Sequence, residues 1–329
     1  MLFFWSIIYL LGIAYASPSC YAVSLEAGGT HGAFEAGSLW QLANTPTVNS
    51  AYNVVIGIST GSLNAGGVAQ FAQGNEKAMG DFVVNTWLTL NGSQSTFVEW
   101  PGGLIEGLLF QRGLLDNKPM AETLQKRYTY GINRNITIGS TDLDTGLFAQ
   151  FNESLGSQGV LTAITCSACP AFFFPPTNYL GATWIDGGTV ILLDSYAAVD
   201  RCLDVVAEQS QVTVDIIFTG PYYALPAETK MTTIDVYKRV TEIAYYDAKM
   251  KNYYNALTAW PEVNFRYAIF PSVQMPGGFI EPLNFNQTVL EWEVQLGKND
   301  TANIIAKGVS GRAVLTQMYE ENKKNIIYP

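Results

Sequence analysis

Histidine is nearly absent from this chain: His31 is the only one in 329 residues. A Ser-His-Asp triad on an α/β-hydrolase sheet needs its histidine after the nucleophile and the acid in chain order. His31 lies ahead of the serine motif described below, so that triad is excluded. Acyl transfer of the malonyl type, which also uses a downstream histidine, falls on the same ground. Basic residues are scarce too. Eighteen Lys and Arg stand against 28 Asp and Glu, a net charge of −10. Electrostatic attraction to nucleic acid or to an anionic membrane is therefore not expected, whereas a neutral or zwitterionic lipid surface remains compatible. The chain has no Gly-Lys-Ser/Thr phosphate loop, no Rossmann glycine spacing and no cluster with metal-ligand spacing, so neither a metal nor a cofactor is expected. Repeats, low-complexity tracts and an evident linker are lacking as well.

Cysteines number four: Cys20, Cys166, Cys169 and Cys202. In an oxidising compartment they allow three pairings. The Cys166-x-x-Cys169 spacing has no second C-x-x-C or histidine cluster beside it, so structural pairing or buried thiols are its better readings. Long apolar runs are confined to the first residues. Met1 to Ala16 is apolar and ends in Ala14-Tyr15-Ala16, a small-x-small signal peptidase pattern. The run is short for a membrane span. It is read as a signal peptide over 1–16, with a single domain over 17–329. Acceptors of the Asn-x-Ser/Thr type at Asn91, Asn135, Asn152, Asn286 and Asn299 agree with a secreted or secretory-pathway glycoprotein.

What the chain does contain is concentrated in Val54-Val55-Ile56-Gly57-Ile58-Ser59-Thr60-Gly61. Apolar β-branched residues run into Gly-x-Ser-x-Gly, and small residues follow. The pattern predicts a strand, a sharp turn at Ser59 and a helix. Such a turn lifts the serine hydroxyl clear of the sheet. Gly57 and Gly61 let it close, and the helix N-terminus directs N–H dipoles toward the serine. Upstream, Tyr21–Leu25 alternates as a strand and Glu26-Ala27-Gly28-Gly29-Thr30-His31-Gly32 is a glycine-rich loop. Ala36, Leu39, Trp40 and Ala43 then give one apolar helical face. Backbone N–H groups of Gly28, Gly29 and Thr30 form a rack that fits an oxyanion hole beside a nucleophilic serine. Two strand–loop–helix units in succession predict a parallel sheet flanked by helices.

Farther along, residues 74–130 read as mostly helical. Phe97 to Phe110 surrounds a Pro-Gly-Gly break, either as an apolar cap or, for most of these residues, as ordinary core. Strands are expected at 135–140, 147–151 and 212–219. Beyond Gly220 the chain reads as helices around 232–257 and 287–305. With histidine excluded as the base, a carboxylate within hydrogen-bond reach must serve. Asp186, presented by Trp184-Ile185-Asp186-Gly187-Gly188, is the best placed by its turn.

At this point the chain resembles the patatin-like phospholipases. Ala27-Gly28-Gly29-Thr30-His31-Gly32 is similar to the family's oxyanion block, and Gly57-Ile58-Ser59-Thr60-Gly61 to its nucleophile block. The turn Asp142-Leu143-Asp144-Thr145-Gly146, the block Cys166 to Pro176 and Asp186-Gly187-Gly188 agree in order and spacing over residues 20–220. Residues 221–329 resemble the family only loosely. The resemblance implies a three-layer α/β/α fold with a mainly parallel sheet and a Ser59–Asp186 dyad. It also implies metal-free hydrolysis of lipid acyl esters, with transient contact with a membrane or micelle. Two departures stand out: Ala27 replaces the block's first glycine, and His31 stands where the family usually has Arg or Lys. His31 is expected either to tune the oxyanion loop or to point to solvent. A lipid-binding or storage protein of the same fold, or an acyltransferase, are the alternatives; a fluorophosphonate probe distinguishes an activated serine from an idle one.

Overall fold

The computed structural model describes residues 19–90, 95–220, 230–276, 283 and 285–322. The leader expected over 1–16 and the acceptor Asn91 lie outside them.

Among the described residues, eight strands form one sheet: β1 (Cys20–Leu25), β2 (Val54–Ile58), β3 (Asn135–Asp142), β4 (Phe148–Asn152), β5 (Thr177–Tyr179), β6 (Ala182–Asp186), β7 (Val212–Ile217) and β8 (Asn264–Ile269). The pairs β3–β2, β2–β1, β1–β7 and β7–β8 are parallel. The helices are α1 (Gly32–Ala43), α2 (Thr60–Ala69), α3 (Glu76–Thr89), α4 (Gly103–Phe110), α5 (Lys118–Arg127), α6 (Gly156–Ser167), α7 (Ser195–Leu203), α8 (Thr233–Ala259), α9 (Gln287–Lys307) and α10 (Gly311–Asn322).

Near-continuous apolar strands need cover on both faces, and here they have it. Val23, Leu25 and Val55 pack with α1, α2, α3, α5, α6 and α9. Ala22, Val54, Ile56 and Val214 face the other way, onto α7, α8 and α10. The result is the expected three-layer α/β/α arrangement. The disulfide joins Cys20 to Cys202, tying the start of β1 to α7, while Cys166 and Cys169 are buried free thiols.

Two expectations need correction. The chain beyond Gly220 is not all helical. Asn264-Phe265-Arg266-Tyr267-Ala268-Ile269 forms β8 and extends the sheet beside β7. Arg266 escaped a strand reading because its charge interrupts the apolar run; it lies against Asp215, with Nε donating at 2.9 Å. Nor is the apolar run at 103–110 core: α4 leaves Leu104, Ile105, Leu108, Leu109 and Phe110 exposed.

The strand registers explain how the site is assembled. β2 pairs with β3 up to Ile58 opposite Gly139, and β6 pairs with β3 from Asp186 opposite Ser140. Ser140 and Thr141 are also paired with β4. A strand has two edges, so β6 must take the edge that β2 occupies, starting where β2 stops. β2 and β6 run toward each other along that edge, and their C-terminal ends meet.

Candidate active site

At the meeting point Ser59 Oγ donates to Asp186 Oδ2 at 2.5 Å, and both residues are buried. Ser59 has φ 52° and ψ −119°, a left-handed conformation rare for a residue with a side chain. The surroundings hold it there. Its N–H donates to Ser167 Oγ at 2.8 Å, and Ser167 in turn donates to the Gly139 carbonyl at 2.6 Å. Its own carbonyl accepts from the Ser62 N–H at 2.9 Å. A Cβ on Gly57 would lie 2.2 Å from the Gly61 carbonyl oxygen, and one on Gly61 would lie 2.5 Å from the Leu25 carbonyl oxygen. The turn therefore requires glycine at both positions.

Asp186 is fixed on both sides. Its N–H donates to the Cys169 carbonyl at 3.0 Å, and its Oδ1 accepts from the Gly188 N–H at 2.8 Å. Burial pushes its carboxyl up to about 7, against the lowering effect of the bonds from Ser59 and Gly188. A carboxylate poised there is matched to accepting a hydroxyl proton near neutral pH.

The glycine loop leaves β1 beside this pair. Gly29 has φ 60° and, with Ser59, lines the cleft. Gly28 packs so tightly on the chain just past β7 that a Cβ would fall 2.3 Å from Thr219 Oγ1. Among the described residues, no backbone carbonyl accepts from the N–H groups of Gly28, Gly29 or Thr30. The cleft is partly open to solvent, and its wall is apolar: Leu63, Trp87, Leu90, Met120, Leu124 and Phe174 among others.

A model of the family described as patatin-like phospholipase matches residues 23–195, more than half of the chain. The chain belongs to that family. It is a lipid acyl hydrolase by family, and the cleft at Ser59 is walled by apolar side chains. A search of curated proteins finds no match. Among solved structures, VipD from Legionella pneumophila is similar at TM-score 0.40 and 12% identity, over 89% of this chain and 68% of that one.

In this patatin-like chain His31 does not point to solvent. It is buried at the start of α1, and its Nδ1 lies 2.9 Å from Glu293 Oε1 on α9. Its described partner is thus a carboxylate on another helix, while the Ser59 hydroxyl is turned to Asp186.

Residues that sequence reasoning missed hold the loop from beneath. Glu26 Oε2 accepts from the Thr219 N–H at 2.7 Å, and its Oε1 faces Lys249 Nζ at 3.2 Å and the Tyr253 hydroxyl at 3.2 Å. Glu35 Oε1 accepts from the Glu26 N–H at 2.7 Å, and its Oε2 accepts from Asn64 Nδ2 at 2.9 Å. Trp87 Nε1 then donates to Asn64 Oδ1 at 2.7 Å. Burial raises Glu35 well above the usual carboxylate range. The available signal was an acid in an otherwise apolar and glycine-rich stretch, at positions 26 and 35. Such acids are rarely buried without a partner.

Proposed function

We propose that this chain is a secreted serine lipid acyl hydrolase working through a Ser59–Asp186 dyad and an oxyanion hole of Gly28, Gly29 and Thr30 N–H groups. The observation that carries the reading is the 2.5 Å contact from Ser59 Oγ to Asp186 Oδ2 at a strained strand-to-helix turn. Asp186 takes the hydroxyl proton as Ser59 Oγ bonds to the acyl carbonyl carbon. The carbonyl oxygen becomes an oxyanion facing the glycine loop. Collapse breaks the ester C–O bond, and Asp186 returns the proton to the departing alkoxide. Water then attacks the acyl-enzyme, Asp186 accepts its proton, and the fatty acid leaves as Ser59 is restored. The step needs no metal, because Asp186 supplies the base and the loop the charge stabilisation.

Secretion is supported by the apolar leader and by the Cys20–Cys202 disulfide, since such bonds persist in oxidising compartments. The substrate class is a fatty acyl ester of a phospholipid or other glycerolipid.

The test is the purified protein against a phospholipid and neutral-glyceride panel, with fluorophosphonate labelling. Ser59→Ala should abolish both hydrolysis and labelling while the fold remains intact. Asp186→Asn should fall about as far as Ser59→Ala, and the double variant no farther, because groups acting as one unit are non-additive. Near wild-type hydrolysis by either single variant would overturn the dyad.

A further inference from the structure

Helix α4 turns its apolar side chains outward. Ile105 is 70% exposed, Leu109 64% and Phe110 78%, and Gly107 is its one buried residue. A surface helix ordinarily hides its apolar stripe. Here the contact with the body is made at the residue without a side chain: a Cβ on Gly107 would sit 2.2 Å from the Leu114 carbonyl oxygen.

The helix is attached to the active-site wall. Val98 and Asp116 exchange two backbone hydrogen bonds of 2.9 Å, closing the base of the excursion that carries α4. The returning chain then donates from Leu114 N to the Phe172 carbonyl at 2.9 Å and from Leu115 N to the Phe173 carbonyl at 2.8 Å. Phe172 belongs to the loop whose Pro170 and Phe174 line the Ser59 cleft. It is itself 62% exposed, at φ 79°. Its ring meets Phe173 edge-on, with centroids 5.4 Å apart, and otherwise faces solvent; backbone strain of this kind collects where function uses it.

Charge selects the occupant. From Gly102 to Gln111 the only ionisable side chain is Glu106. It folds back along the helix, accepting from the Gly102 N–H at 2.7 Å and from Gln111 Nε2 at 2.7 Å. Helix α4 itself therefore carries no cation, the exposed Arg112 lies just past its C-terminal end, and the whole chain is net −10. Interfacial helices that seek anionic lipid are rich in Lys and Arg on their polar face.

We propose that α4 and Phe172 form the surface by which this chain docks on a zwitterionic lipid surface, setting the Ser59 cleft against the lipid that supplies its substrate. The inference rests on the acyl hydrolase reading of that cleft. Insertion of apolar side chains gives the affinity, so binding is insensitive to salt and is not strengthened by anionic lipid.

The experiment uses Ser59→Ala protein and phosphatidylcholine vesicles for binding. In parallel, proteins with Ser59 intact are assayed on a soluble short-chain ester and on vesicular phosphatidylcholine. The altered protein carries Ile105→Ser, Leu109→Ser and Phe110→Ser, all at exposed positions; Phe172→Ser is a second, independent variant, and circular dichroism checks the fold of each. Vesicle affinity should drop about tenfold or more in the triple variant and measurably in Phe172→Ser. Vesicular hydrolysis should follow, while kcat/KM on the soluble ester stays within about twofold. The proposal is overturned if the parent protein does not bind phosphatidylcholine vesicles, if both variants bind as it does, or if binding appears only with anionic lipid. It is also overturned if sedimentation shows the face buried in a dimer that the triple variant dissociates. Loss of soluble-ester activity in the parent, with vesicle binding and its dependence on α4 intact, would instead remove the hydrolase reading and leave the docking surface.

Discussion

At the scale of the residue, Asp186 is in tension between stability and chemistry. Burial lifts its carboxyl to about 7, well above a free aspartate. As a base it must be ionised, so kcat/KM on a soluble ester should fall about tenfold per pH unit below 7. A pH profile flat down to pH 5 would rule it out as the titrating base. The same shift has a sign for folding. Between pH 4 and 7 the folded state holds this proton and the unfolded state does not, so stability declines as pH rises through that window. Asp186→Asn removes the group, and its Tm should exceed wild type at pH 8, with the gap closing toward pH 4. His31 belongs to the same scale. His31→Ala leaves the Glu293 carboxyl buried without its partner. Burial already raises that carboxyl, so it can protonate rather than stay charged. The expected stability loss is about 1–3 kcal/mol, read from chemical denaturation. The kcat/KM of this variant should fall far less than that of Ser59→Ala. A folded His31→Ala as inactive as Ser59→Ala would make the histidine, not Asp186, the base.

At the scale of the element, the glycine loop is held by two helices of the C-terminal third. Lys249 on α8 pairs with Glu26 just before the loop, and Glu293 on α9 pairs with His31 just after it. Both pairs are largely withdrawn from water, so removing one partner is costly. Lys249→Met should lower stability by about 3–5 kcal/mol, because it strands the Glu26 charge. Urea unfolding would show it, and an unchanged midpoint would mean that Glu26 is held by Thr219 and Tyr253 alone. α9 reaches His31 because α1 and α9 cross at two glycines. A Cβ on Gly37 would lie 2.1 Å from the Val294 carbonyl oxygen, and one on Gly297 2.1 Å from that of Phe34. Gly37→Ala should push these helices apart at about 1–3 kcal/mol, lowering Tm. The local patterns for α1, β2 and the turn at Ser59 were legible because each depends on neighbours in sequence. β8 was not, because its charged Arg266 is neutralised by Asp215 from a strand 51 positions away. The apolar run of α4 reads alike whether it faces core or solvent; only the surrounding packing distinguishes the two.

At the scale of the whole molecule, the Cys20–Cys202 bond closes a loop with a sequence separation of 182. It pins α7 across the face of the sheet opposite α1. Replacing both cysteines by serine should lower stability by about 3–5 kcal/mol through the freed unfolded chain. Equilibrium unfolding of the double variant beside the parent protein tests this, and equal midpoints would make the bond structurally idle. The pairing itself was one of three possibilities in sequence. It depends on β1 and α7 stacking, with Cα atoms 5.5 Å apart.

The amino-acid order by itself determined the strand-to-helix turn at Ser59, the glycine loop that follows β1, and the alternation of strands and helices that makes a layered α/β fold. Each follows from the backbone freedom of glycine, the stiffness of β-branched residues and the periodicity of apolar side chains, all acting over a few positions. Histidine scarcity removed the common triad and left a carboxylate as the candidate base. The turn before Gly187-Gly188 singled out Asp186, but only the tertiary structure brought its carboxyl to the Ser59 hydroxyl, because the two residues meet through registers on β3, an element between them in the chain. It also turned His31 inward onto Glu293 and α4 outward into solvent. Those outcomes depend on which distant surfaces pack together, and no local pattern of residues encodes that.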